Sequence, residues 1–173
     1  MKNHAAIVVC FIIFMGVYKF AAWYYFSGRP NIARECATAY GGIATGEFGG
    51  FVQTGEETCG HAAVAFFLSG AGFPETEASL IDETGTVSML SLADMERVFT
   101  SRGLQTQMLK IDPAYFRKNP TPAILHFSSQ HFVVFLNEEN GEPVIFDPAY
   151  GQVFVPWKIL LRIFSGYMLY VYK

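Results

Sequence analysis

At 173 residues the chain suits one folded domain preceded by a short segment, and a second domain is not expected. Hydrophobic residues make up 51% of it, with 17 Phe and 9 Tyr against 16% charged residues, which excludes disordered and low-complexity architectures. Twelve Lys and Arg against fifteen Asp and Glu leave a net charge of −3 with no basic cluster, so no nucleic-acid partner is expected.

The first 34 residues contain no Asp or Glu, and Ala5 to Tyr18 carries no charge before Lys19 and a second aromatic run, Phe20 to Phe26. Ala5 to Phe26 is long enough for the ~20 helical residues that span a bilayer if Lys19 snorkels to an interface. The tripeptides ending at Gly16, Ala22 and Gly28 place Phe14, Phe20 and Phe26 where signal peptidase prefers a small side chain. The sequence therefore predicts an uncleaved membrane anchor over 1–26 and a Gly-rich tether over 27–50. Lys2 on one flank and Lys19, Arg29 and Arg34 on the other leave the orientation open to the charge rule. An N-terminal apolar segment acts most simply as an export signal, which favours a cytoplasmic N-terminus and an external domain.

Cys59 to Ser69 is apolar on nearly every side and predicts a buried central helix stopped by Gly70 and Gly72. A short helix follows over Pro74 to Ile81. Ser91 to Ser101 predicts a third, with Ser91 and Asp94 in the capping-box positions, Leu92, Met95, Val98 and Phe99 on one face, and Gly103 as terminator. Asp112-Pro113 opens another helical turn.

The C-terminal third reads as strands: Ala123 to Phe127, His131 to Leu136, Val144 to Phe146 and Tyr167 to Tyr172. Ser128 to Gln130 and Asn137 to Gly141 are hairpin-length connections, so neighbouring strands are antiparallel. Trp157 to Phe164 is a helix or crossing segment before the last strand. Helices first and a meander sheet afterwards make the fold class α+β.

Cys59 at the start of the central helix is placed where the helix dipole and first-turn N–H groups stabilise a thiolate. Its other reading is a small buried hydrophobe. Gly60 leaves the backbone open for close approach of a substrate. A nucleophile needs a base and an orienting group. His131 begins the strand HFVVF and Asp147 ends the strand IFD, so an antiparallel pair brings both to one edge of the sheet. His131 would take and return the proton while Asp147 holds the imidazole. His61 lies two residues past Cys59 on the helix and faces elsewhere; His126 in mid-strand reads as a satisfied histidine; Asp112 reads as a helix cap. Cys36 and Cys59 are the only cysteines beyond the apolar segment. A bridge between them is compatible with the sequence and would occupy the candidate nucleophile. No cofactor and no metal are expected.

Gln53, the Cys59-Gly60 pair, HFVVF and IFDPAYG together resemble the peptidase C39 family of papain-like cysteine peptidases, over about residues 50–173. SLADMERVFTSRG and TPAILHF lie between these motifs. The resemblance implies a papain-like fold, with the nucleophile-bearing helix packed on an antiparallel sheet. It implies Cys59 as nucleophile, His131 as base, Asp147 as orienting acid, and Gln53 as the side-chain donor to the oxyanion. Thr58 departs from the pattern, because many family members carry Asp before the Cys. The chain lacks a P-loop nucleotide-binding motif and a six-helix transporter, and so is similar to the stand-alone members. The expectation is a single-pass protein of the bacterial inner membrane whose external domain, 51–173, cleaves an exported polypeptide beside small residues such as Gly-Gly. Gly41-Gly42 and Gly49-Gly50 are read as linker. The alternative is an idle C39-like binding or assembly module of a secretion or surface-fibre system.

Overall fold

The computed structural model describes residues 53–172. The predicted anchor and tether lie outside the described residues. Among those described, no helix is long and apolar enough to cross a membrane.

The run of small and apolar side chains after Thr58 forms helix α1 (Cys59–Gly70), with Cys59 through Ala65 and Leu68 all buried. It is enclosed on most of its circumference, as a helix without a polar face must be. Gly60 allows that enclosure. A Cβ there would meet Met95 Cε at 2.8 Å and Leu90 Cβ at 3.2 Å. Gly60 thus serves helix packing, which corrects the expectation that it leaves room for substrate.

Helices α2 (Glu77–Thr84) and α3 (Leu92–Ser101) begin with reciprocal capping boxes, Thr76 with Ser79 and Ser91 with Asp94. Arg102 joins them by pairing with Glu75 at 2.7 Å and Glu83 at 2.6 Å. Strand β1 (Gln105–Lys110) follows, then α4 (Pro113–Lys118), where Asp112 accepts the Ala114 N–H and Pro113 occupies the first helical turn.

The remaining elements are β2 (Ala123–Phe127), β3 (His131–Glu139), β4 (Glu142–Asp147), β5 (Gly151–Phe154), α5 (Trp157–Ile163) and β6 (Phe164–Tyr172). All neighbouring strands are antiparallel, in the order β1-β6-β2-β3-β4-β5. Strands β2, β3 and β4 begin the expected meander, and β5, which the sequence did not announce, continues it. The last strand does not extend it: β6 returns to lie between β2 and β1, separated from β5 by β2, β3 and β4.

Alternation along the strands separates two layers. Phe132 and Val134 of β3, Ile124 of β2 and Phe146 of β4 join one core with α1 and α3. Phe66 of α1 stacks on Phe146 with ring centres 3.9 Å apart. On the other side Phe135 meets Phe116 of α4 and Trp157 of α5. Fully burying one such aromatic contributes ~2–3 kcal/mol, so the sheet is fixed from both faces. The Cys59-bearing helix therefore rests on a sheet held by packing on both faces.

Candidate active site

Three elements converge on Cys59. The thiol opens α1 and is 2% exposed. Thr58 is the N-cap residue, but its side chain makes no cap hydrogen bond to the helix. Its hydroxyl turns back instead, accepting the Gly55 N–H and donating to the Gly55 carbonyl, each at 3.0 Å. The first-turn N–H groups of α1, which have no partner within a helix, are thus left without a side-chain cap beside the sulfur.

His131 is the first residue of β3 and Asp147 the last of β4. The antiparallel register Val134↔Phe146 brings them to the same edge. His131 Nε2 lies 2.9 Å from Asp147 Oδ1, which also accepts the Ala149 N–H at 2.8 Å. Asp147 is 1% exposed, so its carboxylate acts through little water. With Nε2 committed to Asp147, Nδ1 is the nitrogen that remains for the Cys59 side chain, which is among the groups that raise the His131 pKa.

Burial pulls the His131 imidazole down, but the Asp147 charge and hydrogen bond, joined by those of Cys59, outweigh it and push the ring up to about 10. At neutral pH the ring therefore holds its proton. That is the form from which a leaving amine is protonated.

Gln53 is tied to this group through its backbone, donating its N–H to the Pro148 carbonyl at 2.8 Å, one residue beyond Asp147. Its side-chain amide donates to Gly55 O at 2.8 Å and approaches Glu56 O at 3.5 Å, while Oε1 is buried without a partner. The Gly55 carbonyl fixes this amide orientation, since exchanging O and N would set two acceptors face to face. Cys59, His131 and Asp147 meet as expected. Gln53 reaches the site by its main chain, and its amide is folded onto its own loop.

The other titratable candidates fall where the sequence put them. His61 is fully buried, with Nε2 3.1 Å from Thr84 Oγ1 on α2, and burial lowers its pKa despite the opposing Glu77 charge. His126 Nδ1 lies 2.9 Å from Ser165 Oγ; burial foremost, then the Lys110 and His131 charges, lower its pKa and keep the ring neutral. It lines a groove of about 530 Å³ with Leu92, Met108, Lys110, Phe132 and Tyr167. Lys110 Nζ stands 3.7 Å over the Tyr167 ring. Sequence reasoning missed this groove because one wall is β1, whose polar residues carry no strand signal.

Residues 49–173 match the Peptidase C39 family. An uncharacterized protein of Methanothermobacter thermautotrophicus is 31% identical over 121 residues, covering 69% of this chain and 85% of its own length. The colicin V secretion/processing ATP-binding protein CvaB of Escherichia coli is 30% identical over 82 residues, 47% of this chain but 12% of that protein. Among solved structures, a double glycine motif protease from an AMS/PCAT transporter, in complex with the leader peptide, superposes with TM-score 0.65 at 24% identity, covering 70% of this chain and 89% of that one. The peptidase domain of Streptococcus ComA, a bifunctional ABC transporter, gives TM-score 0.63 at 19% identity, covering 70% and 96%. At these identities the structural likeness is one of fold.

Proposed function

Because this chain belongs to the peptidase C39 family, we propose that it is a membrane-tethered cysteine endopeptidase that cleaves an exported polypeptide beside small residues. The observation that carries this reading is the line from Cys59 through His131 to Asp147, with 2.9 Å between His131 Nε2 and Asp147 Oδ1. A peptide carbonyl placed over the start of α1 is attacked by the Cys59 sulfur. The oxyanion that forms faces the uncapped N–H groups of the first turn, the arrangement that stabilises charge as it develops. Gln53 contributes its second amide N–H, the one that only approaches Glu56. His131 gives its proton to the leaving amine as the C–N bond breaks, leaving a thioester. Water then attacks the thioester, His131 takes a proton from it, and the new carboxylate departs with Cys59 restored.

A substrate related to double-glycine leader peptides is supported by the complex of the transporter protease, a relative of the same fold. The groove along β1 and β6 offers an apolar surface for the chain on one side of the cleaved bond. Residues 1–26 are the proposed anchor and the bacterial inner membrane, with the domain outside, the proposed place; both rest on the hydrophobicity of that segment.

The test is incubation of the full chain, wild type and Cys59→Ala, with a synthetic peptide carrying a Gly-Gly pair behind an apolar segment. Cleavage after the pair by wild type alone is expected. Identical product patterns from the two proteins would sink the reading and favour an idle assembly module.

A further inference from the structure

We infer that Glu77 is a positioning residue for the catalytic centre: its buried carboxylate, on a helix that carries no candidate catalytic group, fixes the loop that presents Gln53. This rests on the peptidase reading above. Glu77 opens α2 and is 3% exposed. Both of its oxygens lie on one group, the Thr54 N–H, at 2.9 and 3.1 Å. That contact joins residues 23 positions apart. The first turn of α2 and the neighbouring His61 also feel this charge, but it is on the Thr54 N–H that both oxygens close.

Its consequence lies one residue back. Gln53 and Thr54 are consecutive, and their N–H groups are held by different parts of the fold: Gln53 by the Pro148 carbonyl beside the catalytic acid, Thr54 by Glu77 on α2. With both N–H groups anchored, the peptide between the two residues cannot rotate. Beyond Thr54, the Thr58 hydroxyl closes the loop on Gly55, whose carbonyl also receives the Gln53 amide. The loop is pinned at Pro148, at Glu77 and at Thr58, and the Gln53 side chain leaves the segment between them. Without Glu77 the middle anchor is gone and the Thr54 N–H is left unpaired. A displacement of ~1 Å at a group that stabilises developing charge costs up to about a hundredfold in rate.

The test compares two reagents on the full-length protein. Iodoacetamide alkylates Cys59 by displacing iodide and needs no oxyanion donor. Acetyl-glycyl-glycinal adds the sulfur to its aldehyde carbon, and the resulting hemithioacetal oxygen sits where the oxyanion would. In Glu77→Ala the aldehyde inhibition constant is expected to rise about tenfold to a hundredfold, with the iodoacetamide rate unchanged. Glu77→Gln keeps an acceptor for Thr54 and stays within about threefold of wild type. Glu77→Asp keeps the charge but withdraws it by one methylene; it behaves like Glu77→Ala and carries the test if that variant does not fold. In a Gln53→Ala background, Glu77→Ala adds nothing further, because both act through the same amide.

Unchanged aldehyde affinity in Glu77→Ala or Glu77→Asp would overturn the inference. So would equal losses toward both reagents, which mark general loosening, or effects of Gln53→Ala and Glu77→Ala that multiply. A wild type that binds no aldehyde and alkylates like an ordinary thiol overturns the peptidase reading itself, and this inference with it.

Discussion

Asp147 Oδ1 holds His131 by Nε2 at 2.9 Å, which leaves the opposite ring nitrogen for the thiol at the start of α1. The same oxygen accepts the Ala149 N–H, so the carboxylate is fixed by its own turn before it orients the ring. An amide in this place would keep much of the geometry and lose the charge. Asp147→Asn is therefore expected to lower kcat/KM by about 10² to 10⁴. The Asp147 charge is a main cause of the raised His131 pKa of about 10. The alkaline limb of the kcat/KM profile, expected near that value in wild type, should move down by at least about one pH unit in Asp147→Asn. A profile with an unmoved limb refutes the assignment.

The same raised pKa has a consequence for stability. His131 binds its proton more tightly in the folded chain, at about 10, than at its ordinary value of 6.5. Its contribution is therefore fully present below pH 6.5 and is lost as pH rises through the folded value. Urea midpoints measured between those limits should fall with pH in wild type. In His131→Gln, which retains a donor for Asp147 but does not titrate, that fall should largely vanish. Parallel curves for the two proteins would remove His131 as the cause.

Gly166 gives a test away from the site. It sits in β6 at φ 86°, and a Cβ there would stand 2.6 Å from the Ile111 carbonyl oxygen. Gly166 O also accepts the Ile111 N–H at 2.9 Å, so the two backbones cannot separate without losing that bond. Gly166→Ala should destabilise the domain by at least about 2 kcal/mol, read from the urea midpoint at an unchanged m-value. A midpoint within experimental error of wild type would contradict the close approach.

What the sequence made legible follows the strength of its local signals. The hairpin turns 128–130 and 137–141, and the runs HFVVF and IFD, identify the strand ends and so the meeting of His131 and Asp147 before any contact is seen. Helix α3 was equally plain from Ser91, Asp94 and its apolar face. Strand β1 was not: Gln105–Lys110 is an edge strand mostly open to water, so neither hydrophobicity nor alternation marks it. Strand β5 has four residues, too few for a period to show. The insertion of β6 between β2 and β1 is a long-range pairing that no local pattern encodes. Gly60 was misassigned for the same reason, because Leu90 and Met95, which approach it, are remote in sequence. Glu77 is a surface acid by every sequence criterion, and its burial depends on a backbone N–H of a distant loop.

The hydrogen bond from the Gln53 N–H to the Pro148 carbonyl bears on how this protein is cut for study. Working without the apolar N-terminal residues invites a shortened chain, and residue 53 looks like a natural first position. Beginning there would turn that amide into a protonated α-amino group, one residue from the turn that carries Asp147. The new positive charge would compete with His131 for the same carboxylate and lower the imidazole pKa. Weak or alkaline-sensitive activity in a chain cut there would report the cut and not the protein, so truncations belong several residues upstream of Gln53.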